Sequence, residues 1–266
     1  MDLGDINGDG YADIIFGFGN DNFQDYDYDG DGTPDSTDGM VEIVHGASLE
    51  TYINEGGTWT TFLAPNGSRE ADFGNDIAIG DVNGDGFDDI IIGAPYDDQS
   101  DLIDDDEGAV YIIYGQSDLK INNYDGGELY SSIDYGTSIN YYSQFSGYSD
   151  SEAAEAVASG DFNGDGISDY AVSINEYGLV GGEGIVAVYL GQSFGDPQLA
   201  VVINGIEPGS YLGDDQGSLQ NLGDVNGDGF DDLGLKDTDG KFFIMWGKSN
   251  WLKDYDYDQD GVNVQC

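Results

Sequence analysis

The amino-acid sequence predicts an all-β protein made of four-stranded antiparallel units, stacked like blades into a partial β-propeller of about four blades. Three observations support this prediction. An acidic, glycine-rich loop recurs four times, about 63 to 80 residues apart. Each loop leads into an apolar segment of strand length, and a second apolar segment then ends in a similar turn. Such units bury their faces only against one another, so they should pack side by side.

The repeated segments place most of the strands. The loops begin at Asp5, Asp81, Asp161 and Asp224, and the later strands read VEIVHGAS from Val41, VYIIYGQS from Val110, VAVYLGQS from Val186 and FFIMWGKS from Phe242. DFGNDIAIG, before the second loop, alternates like a first strand, and TWTTFL from Thr58 suits an outer strand. SEAAEAVASG from Ser151 has a helix-like composition. It stands where the other units have their first strand, so we predict strand or irregular structure there.

The spacing divides residues 1–252 into units of about 1–49, 50–117, 118–193 and 194–252, followed by an acidic tail over 253–266. The first loop starts at Asp5, and we predict no strand before it. A stack of about four such units leaves strand edges open at its ends.

The charge of the chain restricts its partners. There are 54 acidic and 6 basic residues, a formal net charge of −48, yet 39% of residues are hydrophobic and 13% aromatic. This composition favours folding coupled to cation binding over disorder. The shortage of Lys and Arg excludes nucleic acid and argues against anionic membrane surfaces.

The sequence also has no apolar segment long enough to span a membrane, so we expect no membrane insertion. The lone cysteine, Cys266, allows no internal disulfide. The opening residues MDLGDING lack the features of a signal peptide. We therefore expect either an export signal outside this sequence or a fragment of a longer protein.

The loop spacing predicts calcium sites. Side chains at positions 1, 3, 5 and 9 and the backbone carbonyl at position 7 would converge on one point, and glycine at position 6 allows the sharp turn. Hard oxygen ligands at this density favour Ca²⁺. The predicted ligands are Asp5, Asn7, Asp9, Tyr11 and Asp13; Asp81, Asn83, Asp85, Phe87 and Asp89; Asp161, Asn163, Asp165, Ile167 and Asp169; and Asp224, Asn226, Asp228, Phe230 and Asp232.

Two further loops resemble these four. DYDGDGTPD supplies a fifth predicted calcium site, with ligands Asp27, Asp29, Asp31, Thr33 and Asp35. DYDQDGVNV offers Asp256, Asp258 and Asp260 but has Val264 at position 9, so a weak site and no site remain alternatives. An EF-hand is excluded because it needs Glu at position 12, where the four main loops have Phe16, Ile92, Val172 and Leu235.

The motifs in the sequence provide little support for a catalytic site. Gly191-Gln-Ser193-Phe-Gly195 matches the G-x-S-x-G elbow, but the same turn recurs at Gly115 and Gly247, which indicates a blade turn. The lone histidine, His45, occupies the end of a strand where the other units have bulky residues, so packing is the simpler explanation. Nearly all paired carboxylates fall in the calcium loops, so we predict no enzymatic activity. Asn66-Gly-Ser68 is a glycosylation sequon, and an ordinary turn is the safer interpretation.

Taken together, Phe73-Gly74, the Asp81 to Asp89 loop and Gly93-Ala94-Pro95 resemble an FG-GAP repeat, as found in the propeller of integrin α chains and in microbial surface proteins. The other copies depart from this signature, with Leu212-Gly213 in place of FG, a poorly placed Phe145-Ser-Gly and no second GAP. The resemblance covers about residues 1–250. It implies a seven-bladed propeller, calcium loops between the first two strands of certain blades, and ligand binding on the propeller surface.

The resemblance implies a calcium-binding extracellular or cell-surface module for adhesion or ligand binding, with a protein or glycan as its partner. Two alternatives stay open: a calcium-dependent structural spacer, and the non-catalytic propeller of a larger secreted hydrolase. The Tyr-rich stretch from Tyr130 to Tyr148 is the candidate ligand surface, and an ordinary outer strand is its simpler explanation. The tail from Lys253 resembles the opening of an acidic metal-binding repeat of secreted microbial proteins.

Overall fold

The computed structural model describes residues 1–22, 38–46, 59–63, 72–97, 108–117, 139–140, 152–174, 182–193, 197–205 and 208–251. These residues form β-strands, turns and loops, and every sheet that they form is antiparallel. The described residues contain no helix that is long and apolar enough to cross a membrane. The prediction of an all-β fold of propeller blades is confirmed.

The strands form four sheets, each ordered as in the sequence. The first contains β1 (Asp2–Gly4), β2 (Asp13–Asn22), β3 (Asp38–Val44) and β4 (Trp59–Leu63). The second contains β5 (Ile77–Gly80), β6 (Asp89–Ala94), β7 (Ala109–Ile113) and β8 (Ile139–Asn140). The third contains β9 (Ala153–Gly160), β10 (Asp169–Ile174), β11 (Ile185–Leu190) and β12 (Gln198–Asn204). The fourth contains β13 (Leu219–Asn221), β14 (Leu233–Lys236) and β15 (Phe242–Met245).

The sheets stack in chain order through their first strands. β1 contacts β5, β5 contacts β9, and β9 contacts β13. Because each sheet is a meander whose first strand lies beside the first strand of the next sheet, the stack has the arrangement of propeller blades about an inner axis. Each loop of the D-x-N-G-D-G type joins the first and second strands of its sheet.

The apolar core lies between successive sheets. Side chains of one strand alternate between two neighbours, so Ile90 and Ile92 of β6 pack toward the first sheet while Ile91 packs toward the third. In β10, Tyr170 and Val172 face the second sheet, and Tyr170 stacks on Tyr189 with ring centroids 5.2 Å apart. This double burial explains why the second strands are continuous apolar segments rather than alternating ones.

Most predicted strands are present, with one correction. The prediction that no strand precedes Asp5 is wrong, because Asp2, Leu3 and Gly4 pair with Ile15, Ile14 and Asp13. Strand β1 has three residues, which are too few to show an alternation of apolar and polar side chains in the sequence. The ambiguous segment from Ser151 is strand β9, and the Thr58 segment contains outer strand β4. β4 falls in the second predicted unit but pairs with β3 of the first sheet, so units and sheets are offset here.

The FG signature marks a close crossing of neighbouring sheets. Phe73 is fully buried against Tyr111, and Gly74 adopts φ +89° while donating its N–H to Gly93 O at 2.9 Å. In the fourth sheet, Leu212-Gly213 takes the place of Phe73-Gly74, and Gly213 has the same left-handed conformation, with φ +90°. In the third sheet the equivalent pair is Ala153-Ala154, and Ala154 has φ +74° although it is not glycine. Phe145 lies outside the described residues.

Candidate metal centre

Each of the four loops is closed by hydrogen bonds from its own backbone to its own acidic side chains. In the second loop, Asp81 Oδ1 accepts from Asp85 N at 3.1 Å and Asp81 Oδ2 accepts from Gly86 N at 2.8 Å. Asn83 Oδ1 also accepts from Asp85 N, and Asp85 Oδ1 accepts from Phe87 N. The side chains at positions 1, 3 and 5 are therefore held together by the turn that they cap.

The same pattern recurs in the other three loops with similar distances. The equivalent bonds to the side chains at positions 1, 3 and 5 join Asp5, Asn7, Asp9 and Tyr11 in the first loop, Asp161, Asn163, Asp165 and Ile167 in the third, and Asp224, Asn226, Asp228 and Phe230 in the fourth. Glycines at positions 4 and 6 adopt positive φ in all four loops. Four independent stretches of sequence thus fold into one local structure.

The aspartate at position 9 is fully buried and joins two parts of its blade. One oxygen of Asp89 accepts from Val82 N at 2.9 Å, and the other accepts from Gly115 N at 2.8 Å. Gly115 follows the third strand, and its equivalents Gly46, Gly191 and Gly247 donate to Asp13, Asp169 and Asp232. This role was not predicted from the sequence. The glycine that follows the third strand in every copy was the available signal.

Burial at position 9 makes the negative charge costly. Burial raises the pKa of Asp89 to about 7, and the charges of Asp85 and Asp81 act in the same direction. Burial likewise raises the pKa of Asp169 to about 8, with Asp165 and Asp161 adding to the rise. The four loops contain no Lys or Arg that could offset these charges. A bound cation would favour the ionised carboxylates.

Neighbouring loops are joined to each other by backbone hydrogen bonds. The position-8 residue of one loop donates its N–H to the position-1 carbonyl of the loop before: Asp88 to Asp5, Ser168 to Asp81 and Asp231 to Asp161. The turn after the third strand adds a second bond, as from Gln116 N to Ile6 O at 3.0 Å. Each loop is therefore part of an inter-sheet interface.

The donor chemistry of the loops fits Ca²⁺, since every predicted ligand is a carboxylate, amide or backbone oxygen. A carboxylate oxygen has about two acceptor positions. Asp161 Oδ1 accepts from both Gly164 N and Asp165 N, and Asp224 Oδ1 accepts from both Gly227 N and Asp228 N. In these two loops the other oxygen, which accepts one N–H bond, keeps the capacity for a cation. Within the described part of the chain, no group of three or more His, Cys, Asp or Glu side chains converges on one metal position. The three aspartates of each of the four described loops therefore do not surround one metal position in this structure. Calcium binding stays a prediction.

The fifth predicted site, from Asp27 to Asp35, lies outside the described residues, as do Asp256, Asp258 and Asp260 and the Asn66 sequon. Of the Tyr-rich stretch, only Ile139–Asn140 is described, and it is outer strand β8, paired with β7.

The two residues considered as catalytic candidates, Ser193 and His45, lie where a structural role is expected. Ser193 is exposed in the turn after β11, and the next described element is strand β12 rather than the helix that an elbow requires. His45 is buried at the end of the first sheet, as predicted for a packing residue. It also borders the first loop, since His45 Nδ1 lies 3.6 Å from Asp13 Oδ1 and 3.4 Å from Asn7 Nδ2.

A comparison with known protein families shows which family the second loop and its strands resemble. The FG-GAP repeat model matches residues 73–113, which contain Phe73-Gly74, the second loop and β5 to β7. Residues 73–113 are an FG-GAP repeat. The repeat spans the first three strands of one sheet and the loop that joins the first two.

Several integrin α chains are relatives of this chain, so the chain is integrin-α-like. Integrin alpha-2 of Bos taurus is 35% identical over 125 residues, which cover 46% of this chain and 9% of that protein. Integrin alpha-6 of Homo sapiens is 34% identical over 116 residues, 42% of this chain and 8% of that protein. Integrin alpha-IIb of Mus musculus is 32% identical over 166 residues, 60% of this chain and 14% of that protein. The chain thus spans less than a sixth of the length of these relatives.

Among solved structures, a rhamnogalacturonan lyase aligns with a TM-score of 0.45 and 13% identity. The alignment covers 91% of this chain and 41% of the lyase chain. The lyase activity belongs to that protein.

Proposed function

We propose that this chain is a calcium-stabilised, non-catalytic module for adhesion or ligand binding outside the cell. The observation that carries the proposal is the shared structure of the four loops. Each presents three aspartates and one asparagine on a closed turn, and each has its position-9 carboxylate fully buried. The recurrence of this oxygen-rich arrangement in four separate loops supports a ligand that all four loops share.

Each predicted ligand has a definite part in this proposal. Position 1 would supply a carboxylate, position 5 an exposed carboxylate, position 3 an amide oxygen and position 7 a backbone carbonyl. The buried position-9 carboxylate would anchor the ion to the sheet. A bound Ca²⁺ supplies positive charge and no reaction. Because the loops bridge neighbouring sheets, ion binding would stiffen the stack as well as the loop.

The expected affinity favours an extracellular location. Calcium modules outside the cell bind with dissociation constants of about 10⁻⁴ to 10⁻³ M, which cytosolic calcium does not saturate. Five occupied sites would add about ten positive charges, so a chain with a formal charge of −48 would stay strongly acidic. The resemblance to integrin α chains supports a role in ligand binding at the cell surface.

Calorimetric titration with calcium, with thermal melts in millimolar calcium and in excess EDTA, tests the metal part of the proposal. We expect about five sites, one for each complete loop, and a large rise in melting temperature. Magnesium is the control, because it demands an octahedral site and keeps several waters. The absence of both binding and stabilisation would contradict the proposal.

The ligand-binding part has its own test. The immobilised chain would be screened against extracellular proteins and glycans, with calcium and with EDTA. Calcium-dependent capture of one ligand class supports adhesion. A chain that binds calcium and captures no ligand would instead favour the structural spacer.

A further inference from the structure

Position 8 of each loop lies between two predicted calcium ligands, the backbone carbonyl at position 7 and the buried aspartate at position 9, and is not itself a predicted ligand. Asp88 holds this position in the second loop and Asp231 holds it in the fourth. The first and third loops have Ala12 and Ser168 there. The side chains of the two aspartates contact the loop before their own.

Asp88 is hydrogen-bonded to the backbone of Asp5 at two atoms. Asp88 Oδ2 accepts from Asp5 N at 2.8 Å, and Asp88 N donates to Asp5 O at 3.2 Å. Asp5 is the position-1 residue of the first loop, and its carboxylate accepts from Asp9 N and Gly10 N. Asp88 therefore fixes the backbone of a predicted calcium ligand that lies in a different sheet.

Asp231 makes the same pair of bonds to Asp161. Asp231 Oδ2 accepts from Asp161 N at 3.1 Å, and Asp231 N donates to Asp161 O at 3.1 Å. The junction between the second and third loops differs, because Ser168 replaces the aspartate and donates its N–H to Asp81 O at 2.9 Å. Among the described residues, this backbone bond is the one hydrogen bond that joins Ser168 to Asp81.

A packing contact joins the same pairs of loops. The position-7 side chain of one loop covers the position-4 glycine of the loop before it, as Phe87 covers Gly8 and Phe230 covers Gly164. A Cβ atom added to Gly164 would lie 2.6 Å from Phe230 Cε1. Positions 7 and 8 of one loop thus contact positions 1 and 4 of the loop before it, so the two loops cannot move independently.

We propose that Asp88 and Asp231 are positioning residues that couple calcium binding in neighbouring loops, the first with the second and the third with the fourth. The inference rests on the proposed calcium sites. When the second loop is occupied, its ligands at positions 7 and 9 are fixed on either side of Asp88, which then holds Asp5 in place. The first loop loses less conformational freedom on binding its own ion, so the two sites bind with positive cooperativity. By linkage, occupancy of the first loop strengthens the second by the same factor.

The charge of Asp88 offers a different explanation for any effect of this residue on affinity. A carboxylate attracts a cation in either loop, whether or not it holds Asp5 in place. Asparagine keeps an oxygen that accepts from Asp5 N but carries no charge, whereas alanine removes both the acceptor and the charge. Asp88→Asn and Asp88→Ala therefore separate positioning from electrostatic attraction.

Hydrogen exchange in EDTA tests the positioning role without an ion. Asp88→Ala should speed exchange of the Asp5 amide by about tenfold or more, because this N–H loses its bond to a charged acceptor. Asp88→Asn should keep most of the protection. The Asp161 amide is the internal control, since its partner Asp231 is unchanged. A wild-type exchange rate at Asp5 in the alanine variant would overturn the positioning role.

A calcium titration followed by NMR measures the coupling loop by loop. The position-6 glycines donate their N–H to the position-1 carboxylate of their own loop, so each amide shift reports on one loop; these glycines are Gly10, Gly86, Gly166 and Gly229. Asp85→Ala removes a predicted ligand of the second loop and should raise the calcium midpoint at Gly10 by about fivefold or more. In the Asp88→Ala background the same substitution should leave the Gly10 midpoint unchanged, and in the Asp88→Asn background it should raise it again.

The third loop provides a matched control within the chain. Asp165→Ala removes a predicted ligand there, and it should shift the midpoint at Gly229, across the Asp231 junction, more than the midpoint at Gly86, across the Ser168 junction. Equal shifts at these two glycines would contradict the part assigned to the position-8 aspartate.

The remaining outcomes are distinct. A Gly10 midpoint that does not respond to Asp85→Ala would overturn the coupling. Loss of coupling in Asp88→Asn as well as in Asp88→Ala would assign the effect to charge and overturn positioning. If none of the glycine amides responds to calcium, the proposed calcium sites fail and the coupling fails with them, whereas amides that respond independently of one another leave the sites intact and overturn the coupling alone.

Discussion

Gly191 N donates a hydrogen bond to Asp169 Oδ1 at 3.0 Å, which joins the turn after β11 to the last residue of the third acidic loop. Asp169 is fully buried, and its other oxygen accepts from Asn163 N at 3.0 Å. The buried aspartate therefore holds a loop, a strand and a turn together before any ion is considered. A loop aspartate can therefore have a structural role through such a bond, and this role is distinct from the proposed binding of an ion.

The first prediction concerns that structural role. Asp169→Ala should destabilise the protein in EDTA by about 1–3 kcal/mol for each buried N–H left without an acceptor. Asp165→Ala should cost far less in EDTA, because Asp165 is in an exposed turn. Urea unfolding of both variants measures the difference. Equal losses would show that burial at position 9 does not set its role.

The second prediction concerns ion binding. Asp85→Ala should remove one calcium site from the calorimetric count and leave stability in EDTA nearly unchanged. At calcium about 100 times the dissociation constant, the loss of that site should remove about 2.7 kcal/mol of stabilisation. Asp239→Asn, outside the loops, is the charge control. An unchanged site count for Asp85→Ala would contradict the ligand assignment.

A third prediction compares two glycines with the same backbone strain. Gly164 and Gly227 have φ +75° and +80°, so alanine at either should cost about 1–2 kcal/mol for the left-handed conformation. Gly164→Ala should cost a further 1–3 kcal/mol, roughly, because Phe230 packs where the methyl group would go. Thermal melts of the two variants in EDTA isolate the inter-sheet contact. Equal losses would mean that Phe230 moves aside without cost.

The fourth prediction uses the strained alanine of the third sheet. Ala154 has φ +74°, a conformation that glycine adopts without the Cβ clash, so Ala154→Gly should stabilise the protein by up to about 1 kcal/mol. Ala156→Gly, in the same strand and fully buried, should destabilise it by about 1 kcal/mol. Chemical denaturation of both gives opposite signs if the strain is real and the same sign if it is not.

The fifth prediction concerns pH. Burial raises the pKa of Asp76 to about 6, while Asp76 Oδ2 accepts from Val157 N. Between about pH 4 and pH 6 the folded protein then binds more protons at this site than the unfolded chain does, so stability falls as pH rises through that window. Asp76→Asn should remove about 1–3 kcal/mol of this dependence. Urea unfolding at pH 4.5 and pH 7, in EDTA, compares the variant with wild type; parallel pH profiles would contradict the assignment.

The local structures followed from short-range patterns. The D-x-N-G-D-G loops, the apolar second strands and the closing turns each depend on a few neighbouring residues, and glycine at fixed positions leaves few alternatives. Strand β1 was missed because three residues carry too little pattern. The FG position of the third sheet was missed because Ala153-Ala154 replaces a glycine that only the crossing of two sheets requires.

The sequence by itself therefore determined the four loops, the order of the strands and the acidic, all-oxygen character of the predicted calcium ligands. Only the tertiary structure decided which sheet faces which, that buried Asp169 accepts a hydrogen bond from Gly191, and that Phe230 covers Gly164, whereas no described residue covers Gly227. The physical reason is distance along the chain. Turns and strands form from neighbouring residues, whereas packing joins residues that are distant in the chain, such as Asp169 and Gly191, which are 22 positions apart, and Gly164 and Phe230, which belong to different sheets. No local pattern records such pairs.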